Sequence, residues 1–212
     1  LSQLFADPWL FVATFVAFLL ALSFHEASHA FAAYLLGDRT AQRENRLTLN
    51  PLSHIDWMGF LMLVTVGFGW GKPVPFNPYN LRSQRFGPML VAAAGPVSNF
   101  LLGTVAVFLF VLVQRSLGPS NLLAVFLILL AVMNMLLGLF NLIPLPPLDG
   151  SKALFAALAA PEYAHVRHFL ETRGPWILLA LVLVESFTSI PIFAGLHGLA
   201  TRMVNGLFAL FS

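Results

Sequence analysis

From Trp9 to Leu22 the chain presents no polar side chain except Thr14. A helix crosses the hydrocarbon core of a bilayer in about 20 residues. Residues 8–36 are therefore expected to form one spanning helix, stopped by Gly37. Further apolar runs lie at residues 88–113, at 122–143, and at 175–184 or beyond. Only 9% of the 212 residues are charged and 58% are hydrophobic, against about 25% charged in a soluble domain. Such a chain needs an apolar solvent. Only helices and closed barrels satisfy their backbone there, so the expected fold is an all-α polytopic membrane protein of about 4–6 membrane helices.

Between the runs, residues 57–70 are apolar but short and carry Gly59, Gly67 and Gly69. The stretch from Gly71 to Pro78 contains Pro73, Pro75 and Pro78, which forbid regular helix. Residues 57–76 are expected to form a short re-entrant or β-like segment. A strand edge between Gly59 and Gly71 would suit an unwound substrate. Residues 151–160 read as a further short helix. The region beyond Pro191 and Gly195 reads as an interfacial helix or as the end of one kinked unit. No repeat, linker or signal-peptide pattern is visible, and residues 1–212 are expected to form a single membrane-embedded domain.

Charge sets the orientation. The segment 37–86 holds Arg39, Arg43, Arg46, Lys72, Arg82 and Arg85, whereas 114–121 holds Arg115 alone. The segment 144–174 again carries Lys152, Arg167 and Arg173. This alternation places the Gly37 end of the first helix in the cytoplasm. The net charge of +2 then marks topology, and no nucleic-acid partner is expected. With no cysteine, a bound metal must sit on His, Asp, Glu or Asn.

His25-Glu26-Ala27-Ser28-His29 places three ionisable groups within an apolar helix. Such groups are costly in a membrane and mark functional sites. Positions i and i+4 share one helix face, so both imidazoles can grip one ion. Glu26 beside them can take a proton from water activated by that ion. Catalytic zinc usually has three protein ligands. A third ligand must lie at comparable depth, some 12–18 Å from the Gly37 end at about 1.5 Å per residue. Asp149 fits, because the proline-rich run Asn141-Leu142-Ile143-Pro144-Leu145-Pro146-Pro147-Leu148-Asp149-Gly150 follows the third long span. Irregular backbone at membrane depth lines a cavity or is buried in protein. Asp149 could instead cap the helix that follows. His54 and Asp56 form a second candidate ligand set in a polar loop.

Asn99, in Gly95-Pro96-Val97-Ser98-Asn99, and Asn141 are the amides to weigh. Each is either a packing contact or a hydrogen-bond donor to an oxyanion in the site. Glu185 reads as a relay or gating group, or as a residue packed toward a polar partner. His165, His168 and His197 read as surface positions.

His25-Glu26-Ala27-Ser28-His29 with Asn141 through Gly150 resembles the signatures of the site-2 proteases. Gly95 through Asn99, Leu49 through Asp56, and Gly71 through Pro75 are similar to further motifs of a compact subgroup. The resemblance spans about residues 20 to 155. It implies one zinc ion per chain, held by His25, His29 and Asp149, with Glu26 as general base and Asn99 and Asn141 as further catalytic candidates. It also implies intramembrane proteolysis of single-span membrane proteins or signal peptides, in a bacterial cytoplasmic membrane with the site toward the cytoplasm. A homo-oligomer is left open. The chain has no room for an inserted PDZ or a nucleotide-sensing domain, and a helix often found ahead of the motif helix is not seen after Leu1. Two rival readings, a metal transporter and an inactive homologue, need no base beside the ligands, which Glu26 supplies.

Overall fold

The computed structural model describes residues 7–66, 69–118, 121–188 and 190–212. The first helix, α1, runs Pro8–Leu35. Asp7 starts it by accepting the Trp9 and Leu10 amides, with Pro8 in the first turn where no N–H is required. Gly37 ends it in the left-handed region (φ 108°). There the Asp38 N–H bonds Ala33 O and the Gly37 N–H bonds Tyr34 O, a Schellman stop. Then follow α2 (Thr40–Arg43), α3 (Trp57–Val66), α4 (Gly87–Leu117) and α5 (Leu122–Asn141). The chain closes with α6 (Gly150–Ala157), α7 (Ala164–Phe187) and α8 (Ala194–Phe211).

Among the described residues the regular elements are all helices, as an all-α polytopic membrane protein requires. On length and apolarity α1, α4 and α5 can each cross a membrane. The expected fourth span is helical as α7, but its first turns carry His165, Arg167, His168, Glu171 and Arg173. The terminal region is a separate helix. Ala200 and Val204 of α8 pack into the core formed by α1, α4 and α5.

The bundle is built on stripes of four-residue spacing. Ala13, Ala17 and Ala21 are buried on α1, and His25, His29 and Ala33 continue the same stripe. Val91, Gly95, Asn99, Gly103 and Val107 form the facing stripe on α4. Lipid gives little drive for helix association, so small side chains that admit close van der Waals contact supply it. The backbone link from the Arg82 N–H to Leu36 O sets α4 antiparallel to α1. Pro96 lies inside α4 without ending it.

Of the two alternatives for residues 57–76, re-entrant or β-like, the β-like one fails in the first half. Residues 57–66 are helix, not strand. Met and Leu favour helix, and Asp56 Oδ1 accepts the Gly59 N–H at 2.9 Å to cap the first turn. Gly59 serves close backbone approach to Trp70, where a Cβ would collide. Gly67 lies outside the described residues. Among the described residues what remains β-like is the isolated Ile55–Gly71 bridge, extended by the Lys72 N–H to His54 O bond at 2.8 Å. An extended strap then runs to Asn77.

Candidate metal centre

His25 and His29 lie one turn apart on α1, both buried. Each ring is pinned through Nδ1. His29 Nδ1–H donates to Val91 O at 2.8 Å. A carbonyl only accepts, so this nitrogen carries the proton. His25 Nδ1 faces Asn99 Oδ1 at 2.6 Å. The Asn99 Nδ2 group is turned to two acceptors, Ala21 O at 3.1 Å and Asn134 Oδ1 at 2.8 Å. Only that amide orientation satisfies all three contacts, so His25 Nδ1 is also the donor. Both Nε2 atoms are left as bare lone pairs.

Those lone pairs meet a third. Asp149 Oδ2 lies 3.1 Å from His25 Nε2 and 3.2 Å from His29 Nε2, and the two nitrogens are 3.0 Å apart. The buried oxygen has no hydrogen-bond partner. The proximity resembles an ion pair, but with both ring protons on Nδ1 no donor stands between the atoms. An uncompensated buried acceptor is costly, and three together call for a cation. A tetrahedral zinc with bonds of about 2.0–2.1 Å keeps its ligand atoms roughly 3.3 Å apart, so the trio fits one face of such an ion.

Two glycines make this approach possible. A Cβ on Gly95 would stand 2.5 Å from His29 Cε1 and Nε2 and 2.6 Å from His25 Cε1. A Cβ on Gly150 would strike the Leu142 and Ile143 carbonyls, so only glycine lets the Asp149 turn fold back on the end of α5. Asp149 makes no side-chain cap to α6, which removes the capping alternative.

Glu26 is also buried. Its Oε2 accepts the Val74 N–H of the strap at 3.1 Å. The strap is anchored at both ends. Arg46 Nη2 donates to Lys72 O at 2.6 Å, and Asp38 Oδ2 accepts the Asn77 N–H at 2.6 Å. Asp38 Oδ1 also takes the Thr40 N–H, the Thr40 hydroxyl and the Asn80 amide. Burial would raise the Asp38 pKa, but these bonds outweigh it and hold the carboxyl below its ordinary value.

The other candidates fall outside the trio. His54 is buried with Nε2 on Thr48 O, and burial chiefly, with Arg46 adding, holds it below its usual pKa. Asp56 caps α3. Glu185 accepts the Phe193 N–H, joining α7 to the approach to α8. Asn141 turns its amide back onto Leu137 O at 3.0 Å, so the structure does not bring it to the trio. Asn99 does reach the site, but with its oxygen. Its amide hydrogens are committed to Ala21 and Asn134, so it has none for an oxyanion. Asn134 and the Val91 carbonyl were missed by sequence reasoning. An Asn in the middle of the apolar run 122–143 was a usable signal for the first; a backbone carbonyl gives none.

Comparison with known proteins bears on the same residues. A profile of peptidase family M50 matches residues 114–183, which include the Asp149 turn. The Bacillus subtilis protein named "Putative zinc metalloprotease YwhC" is 40% identical over 153 residues, covering 69% of this chain and 68% of that protein. The Rip2 proteins of Mycolicibacterium smegmatis and Mycobacterium tuberculosis, named likewise as zinc metalloproteases, are each 31% identical. The chain spans 56% and 60% of their lengths. No solved structure matches. By its likeness to YwhC across two thirds of both proteins, and by its apolar spanning helices, the chain is an integral membrane protein belonging to peptidase family M50, the site-2 proteases.

Proposed function

We propose that this protein is a zinc metalloendopeptidase of the His-Glu-x-x-His type, binding one zinc ion and hydrolysing peptide bonds in transmembrane segments of other proteins. The observation that carries this reading is the meeting of three proton-free ligand atoms, on His25, His29 and Asp149, beside a carboxylate that is not part of the trio. Zinc held there supplies Lewis-acid polarisation of the scissile carbonyl and lowers the pKa of the attacking water. Glu26 accepts the proton of that water and delivers it to the leaving amine. Val74 fixes one Glu26 oxygen, and among the described residues no donor reaches the other. Asn99 and the Val91 carbonyl hold the imidazoles so that Nε2 faces the ion.

Single-span proteins or signal peptides of a bacterial cytoplasmic membrane are the proposed substrates, consistent with regulated intramembrane proteolysis. Burial of the site among helices favours a substrate delivered through the bilayer. The basic residues near the Gly37 end support a site open to the cytoplasm. Residues 1–212 act as one membrane-embedded catalytic unit in this reading.

Glu26→Gln tests it. The variant should keep zinc, since Glu26 is not a ligand, and lose cleavage of a model single-span substrate in liposomes. General base catalysis is worth about 10²–10⁴-fold. Cleavage at the wild-type rate would remove the base; loss of zinc would show Glu26 to be a ligand instead.

A further inference from the structure

Asn134 sits fully buried in the middle of α5, a helix long and apolar enough to cross a membrane. A polar side chain in that setting persists when it has partners and a task. Its partners are specific. Asn134 Nδ2 donates to Leu130 O at 2.8 Å, one turn back on its own helix. This fixes which way the amide faces, since the reverse would set oxygen against oxygen. Asn134 Oδ1 is thereby presented to α4, where it accepts Asn99 Nδ2 at 2.8 Å. Asn99 in turn aims Oδ1 at His25 Nδ1, 2.6 Å away. Each orientation is dictated by the one before it. The chain ends at the proton that decides which His25 nitrogen carries the lone pair.

We propose that Asn134 is a positioning residue for the metal centre, acting through Asn99 to hold His25 in the Nδ1–H form with Nε2 free for the ion. This rests on the reading of His25, His29 and Asp149 as the metal ligands. It explains why an amide stands on α5 opposite Asn99. An Oδ1 acceptor there occupies the second Asn99 hydrogen, which Ala21 O alone would leave unpaired in a dry interior. Asn99 then cannot rotate to offer nitrogen to the imidazole.

The test uses the full chain purified in detergent, with zinc affinity measured by chelator competition. Asn134→Ser keeps a hydroxyl able to bond Leu130 O but cannot reach Asn99. It should weaken zinc binding about 10-fold, the lower end of the loss typical for outer-shell partners. Asn134→Leu should do the same. Asn134→Asp keeps an oxygen acceptor for Asn99 Nδ2 and should restore affinity. In the Asn99→Ala background, Asn134→Ser should have no further effect. Metal-free thermal unfolding is recorded for each variant, so that if the Leu variant does not fold the Ser variant decides. Wild-type zinc affinity in Asn134→Ser would overturn the proposal, as would a full additional loss in the Asn99→Ala background. His25→Ala is the control. If it too retains zinc, the metal site itself is misassigned; if it loses zinc while Asn134→Ser does not, only the positioning role falls.

Discussion

Gly95→Ala asks whether the fit of α1 to α4 sets the metal geometry. The added methyl would lie 2.5 Å from His29 Cε1 and Nε2 and 2.6 Å from His25 Cε1, where ordinary contact begins at 3.4 Å. One side must retreat by about 0.9 Å, an overpacking that costs roughly 1–3 kcal/mol. The rings cannot absorb this by swinging away, because Val91 O and Asn99 Oδ1 hold their Nδ1 atoms. Metal sites tolerate deviations of about 0.2 Å in ligand distance. If the cost falls on the bound state, zinc affinity drops about 5- to 150-fold, at tenfold per 1.4 kcal/mol. Chelator competition on purified wild type and variant measures this directly. Gly87→Ala is the comparison, because it places a methyl 2.9 Å from Leu81 Cβ and Cδ1 at the start of the same helix, away from the imidazoles. It should lower the unfolding temperature without changing zinc affinity. Undiminished zinc binding in Gly95→Ala would refute the reasoning, since the imidazoles would then have room that the structure denies them.

Two further outcomes follow from the same contacts. Asp38→Ala leaves the Thr40, Asn77 and Asn80 donors without their acceptor and should cost about 2–4 kcal/mol, read by unfolding in detergent. Because the folded pKa of Asp38 is depressed, its contribution is complete above the unfolded value of about 3.9 and is lost as pH falls through the folded value. Asp38→Asn should therefore show a flatter acid limb than wild type, and identical limbs would remove the carboxylate's role. Stripping zinc from the wild type should lower its unfolding midpoint, by about 2.7 kcal/mol when free metal had stood at 100 times Kd. The Asp149→Ala variant should respond much less, and an equal response would place the metal elsewhere.

Much of this was legible in the chain, for a physical reason. Lipid penalises polar groups so heavily that those present in the apolar runs stand out, as His25, Glu26 and His29 do. Asp149 could be found because Pro144, Pro146 and Pro147 force irregular backbone where only a protein-lined cavity tolerates it. Asn134 passed unnoticed although the same cost applies to it, while Asn141, at the helix end, drew attention through its neighbours. There a side chain can return to its own helix, as Asn141 does on Leu137 O. The β-like alternative for residues 57–66 fails because the glycines there do not break helix. Gly59 is instead a contact residue, and its helix is carried by Met, Leu and the Asp56 cap.

Bundle packing and the ligand set are one arrangement. On α1 the stripe of alanines gives way to His25 and His29 without a break in spacing, so the surface that docks the helix also aims the ligands. Along antiparallel α4, Val91 stands beside His29, Asn99 beside His25, and Gly95 lies midway, under both rings. The two Nδ1 atoms are drawn toward opposite ends of α4, and the Nε2 edges are left to converge over the glycine. Sliding one helix by a single step of four residues, about 6 Å, would take the Asn99 side chain away from His25 and set a side chain where Gly95 now stands. The register of two apolar helices therefore determines whether His25 presents a lone pair or a proton to Asp149, and whether both rings have room over Gly95.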